Sequence, residues 1–153
     1  MEEHLGLIII FYNDEKRLDT AALSKLSTIF SSCQTCMVNN GSQDNTFQKL
    51  LHIKEYCEGH VSVIDMKKHK SLNVALKAGI RYLKSKNEQE MIGYIESKRI
   101  KDFNDFSENF EIFIANEINL NGMKFKNENQ SHYCRNLLRN VFSIHHNLRS
   151  SQV

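Results

Sequence analysis

Apolar positions in the first two thirds of the chain alternate between two rhythms. Leu5-Gly6-Leu7-Ile8-Ile9-Ile10-Phe11 is a continuous, β-branched run, the pattern of a strand covered on both faces. Tyr12-Asn13-Asp14-Glu15 then turns polar. From Leu18 to Phe30 the residues Ala22, Leu23, Leu26, Ile29 and Phe30 recur at threes and fours, which predicts an amphipathic helix. Thr35 to Val38 reads as a short strand ending in Asn39-Asn40-Gly41-Ser42, where Asn and Gly tolerate left-handed backbone. Phe47, Leu50, Leu51 and Lys54 to Cys57 predict a second helix, and Val61 to Met66 a third strand. Ser71 is placed to cap a third helix whose stripe is Leu72, Ala75, Leu76, Gly79, Ile80 and Leu83. Met91 to Ile95 is the fourth strand.

Strands and helices alternating at this spacing imply right-handed crossovers and a parallel sheet with helices on both faces. The fold expected is therefore α/β and Rossmann-like. The remainder is less regular. Asp102 to Asn116, with Phe103, Phe106, Phe110, Ile112, Phe113 and Ile114, fits a helix, or a short helix followed by a strand. Ser131 to Leu148 places Cys134, Leu137, Leu138, Val141, Phe142, His145 and Leu148 on one face, predicting a last helix whose other face is basic through Arg135, Arg139 and Arg149. The expected organisation is a single domain over 1–153, with a nucleotide-binding half at 1–99 and a shortened acceptor-side segment at 100–153 ending in that helix.

Composition narrows the classes. A chain of 153 residues with 41% hydrophobic and 25% charged residues is long enough to bury a core without disulfides. Twenty Lys+Arg against 18 Asp+Glu leave a formal charge of +2, too even for the footprint of a nucleic-acid binder. No apolar run approaches the ~18 residues of a membrane span, and the acidic start Met1-Glu2-Glu3 is unlike a secretory signal. A cytoplasmic protein is expected. Of Cys33, Cys36, Cys57 and Cys134, only Cys33 and Cys36 have metal-ligand spacing, and they run into the strand-like Met37-Val38; ordinary buried thiols are expected. His145 and His146 are adjacent and point about 100° apart on a helix, so they do not chelate.

In an open parallel sheet, ligands bind where the strands' carboxyl ends meet their loops. That rule selects Tyr12 to Glu15, Asn39 to Ser42, Lys67-Lys68-His69-Lys70-Ser71 and Glu96-Ser97-Lys98-Arg99. Together they offer an aromatic ring, amides, cations and a carboxylate. Such a mixture suits a nucleotide: a ring to stack on, amides for base edges and positive charge for phosphates.

The order of these loops carries a resemblance. An apolar strand ending in Tyr12-Asn13-Asp14-Glu15, then Val38-Asn39-Asn40-Gly41-Ser42-Gln43-Asp44-Asn45-Thr46, resembles glycosyltransferase family 2 of the GT-A type, whose turn reads Val-Asp-Asp-Gly-Ser-x-Asp-x-Thr. His69-x-Ser71-x3-Ala75-x-Lys77-x-Gly79 is similar to the family's Asn-x-Gly-x3-Ala-x-Asn-x-Gly helix. Gly93 to Lys98 falls where the family has a strand leading to its Asp-x-Asp. The likeness spans roughly Leu5 to Asp102, and the chain reads as a short, degenerate member.

The resemblance implies a nucleotide-diphospho-sugar transferase fold, and a function of moving a sugar from a nucleoside diphosphate donor to an unknown acceptor, a glycan or a lipid-linked sugar. Phe11, Tyr12, Asn13, Glu15, Asn39, Asn40, Gly41 and Ser42 are the implied nucleotide-binding residues, and Glu96, Lys98 and Arg99 the diphosphate-binding ones. The family's Asp-x-Asp holds a divalent cation; here Glu96 is the one carboxylate left to ligate Mg²⁺ or Mn²⁺, and Lys98 repels it. Lys98 and Arg99 are then expected to stabilise the departing diphosphate in place of metal. No motif marks a general base among Asp102, Asp105, Glu108, Glu111 and Glu117. The alternative is a catalytically inactive binding or interaction module of the same fold. A receiver-like domain is echoed by Asp14-Glu15 and Asp65, but Asp65 runs into Met66-Lys67-Lys68 and no Ser or Thr plus Lys pair closes the later strands.

Overall fold

The computed structural model describes residues 5–31, 33–57, 59–86, 91–118 and 141–144. Strand β1 (Leu5–Phe11) is followed by helix α1 (Thr20–Phe30), β2 (Gln34–Asn40), α2 (Thr46–Tyr56), β3 (Val61–Met66), α3 (Leu72–Lys86), β4 (Met91–Glu96), a 3-10 turn (Ser97–Arg99), α4 (Phe103–Ile118) and β5 (Val141–Ser143). The five strands form one sheet in the order β3-β2-β1-β4-β5, every neighbour parallel. This is the expected α/β, Rossmann-like architecture. The chain moves outward from β1 to β3 and then crosses to β4 on β1's other side, so β1 is central and buried along its whole length.

Strand alternation divides the core into two layers. Leu5, Leu7, Ile9 and Phe11 meet α1, α2 and α4 through Leu26, Ile29, Leu50, Ile53, Phe106 and Phe110. Ile8 and Ile10, with Cys36 and Val38, meet α3 through Ala75, Leu76, Ile80 and Leu83. The second layer is tight: a Cβ on Gly79 would lie 3.0 Å from Ile8, so the missing side chain is what lets α3 approach β1. Helix α1 starts at Asp19, whose backbone is extended and whose carboxylate accepts the Ala22 N–H at 2.9 Å. At α3, the Ser71 hydroxyl accepts the Val74 N–H at 3.4 Å. The Leu23 side chain lies outside the described residues.

Several sequence expectations are sharpened or overturned. Residues 103–118 are helix throughout, with Phe103, Phe106 and Phe110 buried and Ile112 exposed; the side chains of Phe113 and Ile114 lie outside the described residues. The helix expected over Ser131 to Leu148 fails at Val141–Ser143, which pair in register with Ile92, Gly93 and Tyr94 of β4. Three residues carry no period of their own, and pairing against a buried strand outweighs the helical stripe they complete. Cys134, Arg135, Leu137, Leu138, Arg139, His145, His146, Leu148 and Arg149 lie outside the described residues. Cys33 and Cys36 face opposite layers of the core and cannot share a metal; burial pushes the Cys36 thiol up to about 12. No helix among the described residues is long and apolar enough to cross a membrane.

Candidate nucleotide edge

Parallel pairing brings the carboxyl ends of β1 to β4 to one side of the sheet. Phe11 is level with Asn39, Asn39 with Asp65, and Ile10 with Glu96. Tyr12, Asn40 and Glu96 therefore rise along a single edge, spaced by neighbouring strands rather than scattered around the molecule. Tyr12 is 43% exposed, and its ring lies on His69 with centroids 4.0 Å apart and planes tilted by 40°. His69 is held in turn, its Nδ1 3.0 Å from the Asn40 carbonyl.

The first two loops are sewn together by their own side chains. Asn13, in the left-handed region at φ 51°, donates its N–H to the Ser42 hydroxyl at 2.9 Å and accepts the Gln43 N–H at 2.9 Å. Glu15 accepts the Asn45 N–H at 3.3 Å and its side-chain amide at 3.0 Å, while Lys49 donates to the Glu15 carbonyl at 2.8 Å. Asp44 accepts the Glu15 N–H at 3.2 Å, the Thr46 N–H at 3.0 Å and the Thr46 hydroxyl. Desolvation raises the Asp44 carboxyl, but these bonds from Thr46 and Glu15 more than offset it and hold it below its ordinary value. Asn13, Glu15 and Ser42 thus shape the edge by bonding one another.

Asn39 and Asn40 part ways. Asn40 clamps the β3–α3 loop, its amide donating to the Lys70 carbonyl at 2.9 Å and accepting the Lys70 N–H at 3.0 Å. Gly41, at φ +70°, passes so close beneath that loop that a Cβ would lie 2.1 Å from the His69 nitrogen. Asn39 donates to Asp65 at 2.8 Å, and Asp65 also pairs with Lys67 at 2.9 Å. The Asn39 Oδ1 is buried with no hydrogen-bond partner among the described residues, a state native folds seldom leave a polar atom in.

At β4, Glu96 and Lys98 form an ion pair at 3.3 Å, the ammonium side 69% exposed, and Arg99 is exposed beside it. Among the described residues no three His, Cys, Asp or Glu side chains group to hold a metal ion. One carboxylate already neutralised by an ammonium does not fit a hard divalent cation, which wants several oxygen ligands. Glu96 also adds to the burial that raises the Tyr94 phenol. Beneath this pair lies a group that sequence reasoning passed over. Asp14, 6% exposed, receives the Ser97 hydroxyl, the Tyr12 N–H at 3.4 Å and the Arg17 guanidinium at 3.1 Å. Its own N–H reaches the Thr46 hydroxyl at 2.8 Å.

The carboxylates considered as bases do not gather at the edge. Asp102 caps α4, accepting the Asn104 N–H at 2.7 Å; Asp105, Glu108 and Glu111 are exposed on that helix; the Glu117 side chain lies outside the described residues. A concave pocket opens between the starts of α1 and α4, lined by Arg17, Asp19, Lys25, Lys101 and Phe103. Of the implied donor-binding residues it includes none.

A central strand, a parallel sheet and polar loops collected at its carboxyl edge make an α/β domain whose strand crest is the candidate site. The model of glycosyl transferase family 2 matches the chain over residues 7–95, more than half its length, and the chain belongs to that family. The match ends at Ile95, before Glu96-Ser97-Lys98. No curated protein gives a significant match.

Proposed function

We propose that the chain binds a nucleoside diphosphate sugar across the β1, β2 and β4 crest and transfers the sugar without a divalent cation. The observation that carries this reading is the meeting of Tyr12, Asn39 and the Glu96–Lys98 pair on one edge of a family 2 sheet. Tyr12 supplies an exposed ring for the nucleobase. The acceptor hydroxyl oxygen attacks the anomeric carbon, the bond from that carbon to the diphosphate oxygen breaks, and its electron pair leaves on the diphosphate. The hydroxyl proton passes to a carboxylate or to water. Lys98 and Arg99 stand where the leaving diphosphate gathers charge, and a fixed cation there lowers the barrier as a metal would. On this reading Asn13, Glu15, Gly41 and Ser42 build the edge, and Glu96 aims Lys98.

A second reading is a binding module that keeps the edge and has lost transfer. The Glu96–Lys98 pair favours it, because the ammonium is part-neutralised before any diphosphate arrives. Calorimetry with UDP- and GDP-sugars in EDTA, followed by a donor-hydrolysis assay with and without Mn²⁺, separates the two. Transfer predicts binding in EDTA and turnover that Mn²⁺ does not raise; a module predicts binding without turnover.

A further inference from the structure

Arg17, together with Asp14, ties the first loop to the β4 turn. Its Nη1 donates to Asp14 Oδ1 at 3.1 Å and to the Ser97 carbonyl at 2.8 Å, and its Nη2 donates to the Ile100 carbonyl. The guanidinium carbon lies 5.2 Å from the Phe103 ring centroid, and the Ser97 hydroxyl closes the circuit back to Asp14. The carbonyls involved bracket the 3-10 turn, whose own internal bond runs from the Ile100 N–H to the Ser97 carbonyl at 2.9 Å. Arg17 adds a second donor to the Ser97 carbonyl and supplies one to the Ile100 carbonyl just past the turn, and a planar fork can serve two carbonyls and a carboxylate together where an ammonium cannot. Glu96 and Lys98 flank Ser97, so whatever fixes Ser97 fixes the backbone from which their side chains leave.

We propose that Arg17 is a positioning residue: through Ser97, Ile100 and Asp14 it sets the β4 turn and so aims the Lys98 ammonium at the diphosphate. The functional half rests on the nucleotide-sugar reading above; the structural half does not. Arg17 touches no reacting atom in this account. It acts through Lys98.

The test is a double-mutant cycle on the full chain with Arg17→Lys, which keeps the charge opposite Asp14 but loses the fork, and Lys98→Ala. UDP and GDP affinities are read by calorimetry in EDTA, and hydrogen exchange is read at the amides of residues 97–100. Arg17→Lys is expected to weaken binding about tenfold alone and less than about twofold on top of Lys98→Ala, the non-additivity of residues that act as one unit. Exchange at 97–100 is expected to quicken about tenfold while β1 to β3 stay protected. Losses that multiply, or exchange that does not change, overturn the proposal. A wild-type chain that binds neither nucleotide overturns the functional half and the reading it rests on, and faster exchange in Arg17→Lys then still upholds the structural half. Should Arg17→Lys fail to fold, Ser97→Ala opens the same circuit at a different link, the hydroxyl's bond to Asp14. It should weaken binding about threefold and be masked by Lys98→Ala in the same way; an unmasked loss overturns the proposal.

Discussion

The two sides of the crest are held by different means. Between the β1 and β2 loops, Asn13, Glu15, Ser42, Asp44 and Asn45 bond one another side by side, so no single contact carries the seam. The β4 turn hangs on one knot, the buried Asp14 and Ser97 with the half-buried Arg17. The seam lies within the residues that match the family, whereas the β4 turn at Ser97–Arg99 lies beyond them. A distributed seam tolerates the loss of one bond. A knot does not, and its failure is felt at Lys98.

The sharpest way to break the seam is from below. Gly41→Ala places a Cβ 2.1 Å from the His69 backbone nitrogen at a positive φ, and it should destabilise the fold by roughly 3 kcal/mol or more, read as a large drop in denaturation midpoint. Ser42→Ala removes one stitch, the acceptor of the Asn13 N–H, and should cost about 1 kcal/mol. Lys98→Ala makes the contrast: its exposed ammonium contributes little to folding, so its thermal midpoint should move less than that of Ser42→Ala.

The smallest expected effect is in pH. Asp44 sits below its ordinary value in the folded chain, so its ionised form favours folding above the unfolded pKa of about 3.9. That contribution is lost as pH falls through the lower, folded value. Urea unfolding from pH 6 downward should show a slight acid loss that Asp44→Asn flattens; an acid limb identical in the variant would remove Asp44 from the seam's electrostatics.

How much of this was legible differs along the chain. Strand β1 announces itself because a strand buried on both faces needs an unbroken apolar run, and Leu5 to Phe11 is one. The turn at Asn39 to Thr46 was legible because few residue types suit a positive φ followed by a carboxylate that accepts the first N–H of the next helix. Strand β5 was not, since Val141 and Phe142 complete a helical stripe and only pairing with Ile92 and Gly93 reassigns them. Within the candidate edge, the eye falls on Glu15 because it is the second acidic residue of the loop, while the structure buries Asp14 instead. An Asp and an Arg three apart on a loop read as a solvated pair. Their partner Ser97 lies 83 residues from Asp14, and no local pattern reports a contact across that separation.

The central claim is that an ammonium at residue 98 replaces a metal in holding the diphosphate. The direct measurement is calorimetric titration of UDP- and GDP-sugars into the wild-type chain and Lys98→Ala, each in EDTA and in Mn²⁺. The account predicts binding in EDTA that Mn²⁺ leaves unchanged and that Lys98→Ala weakens about tenfold, the loss of one charge-assisted hydrogen bond. Binding that appears only with Mn²⁺ and is indifferent to Lys98 would contradict it.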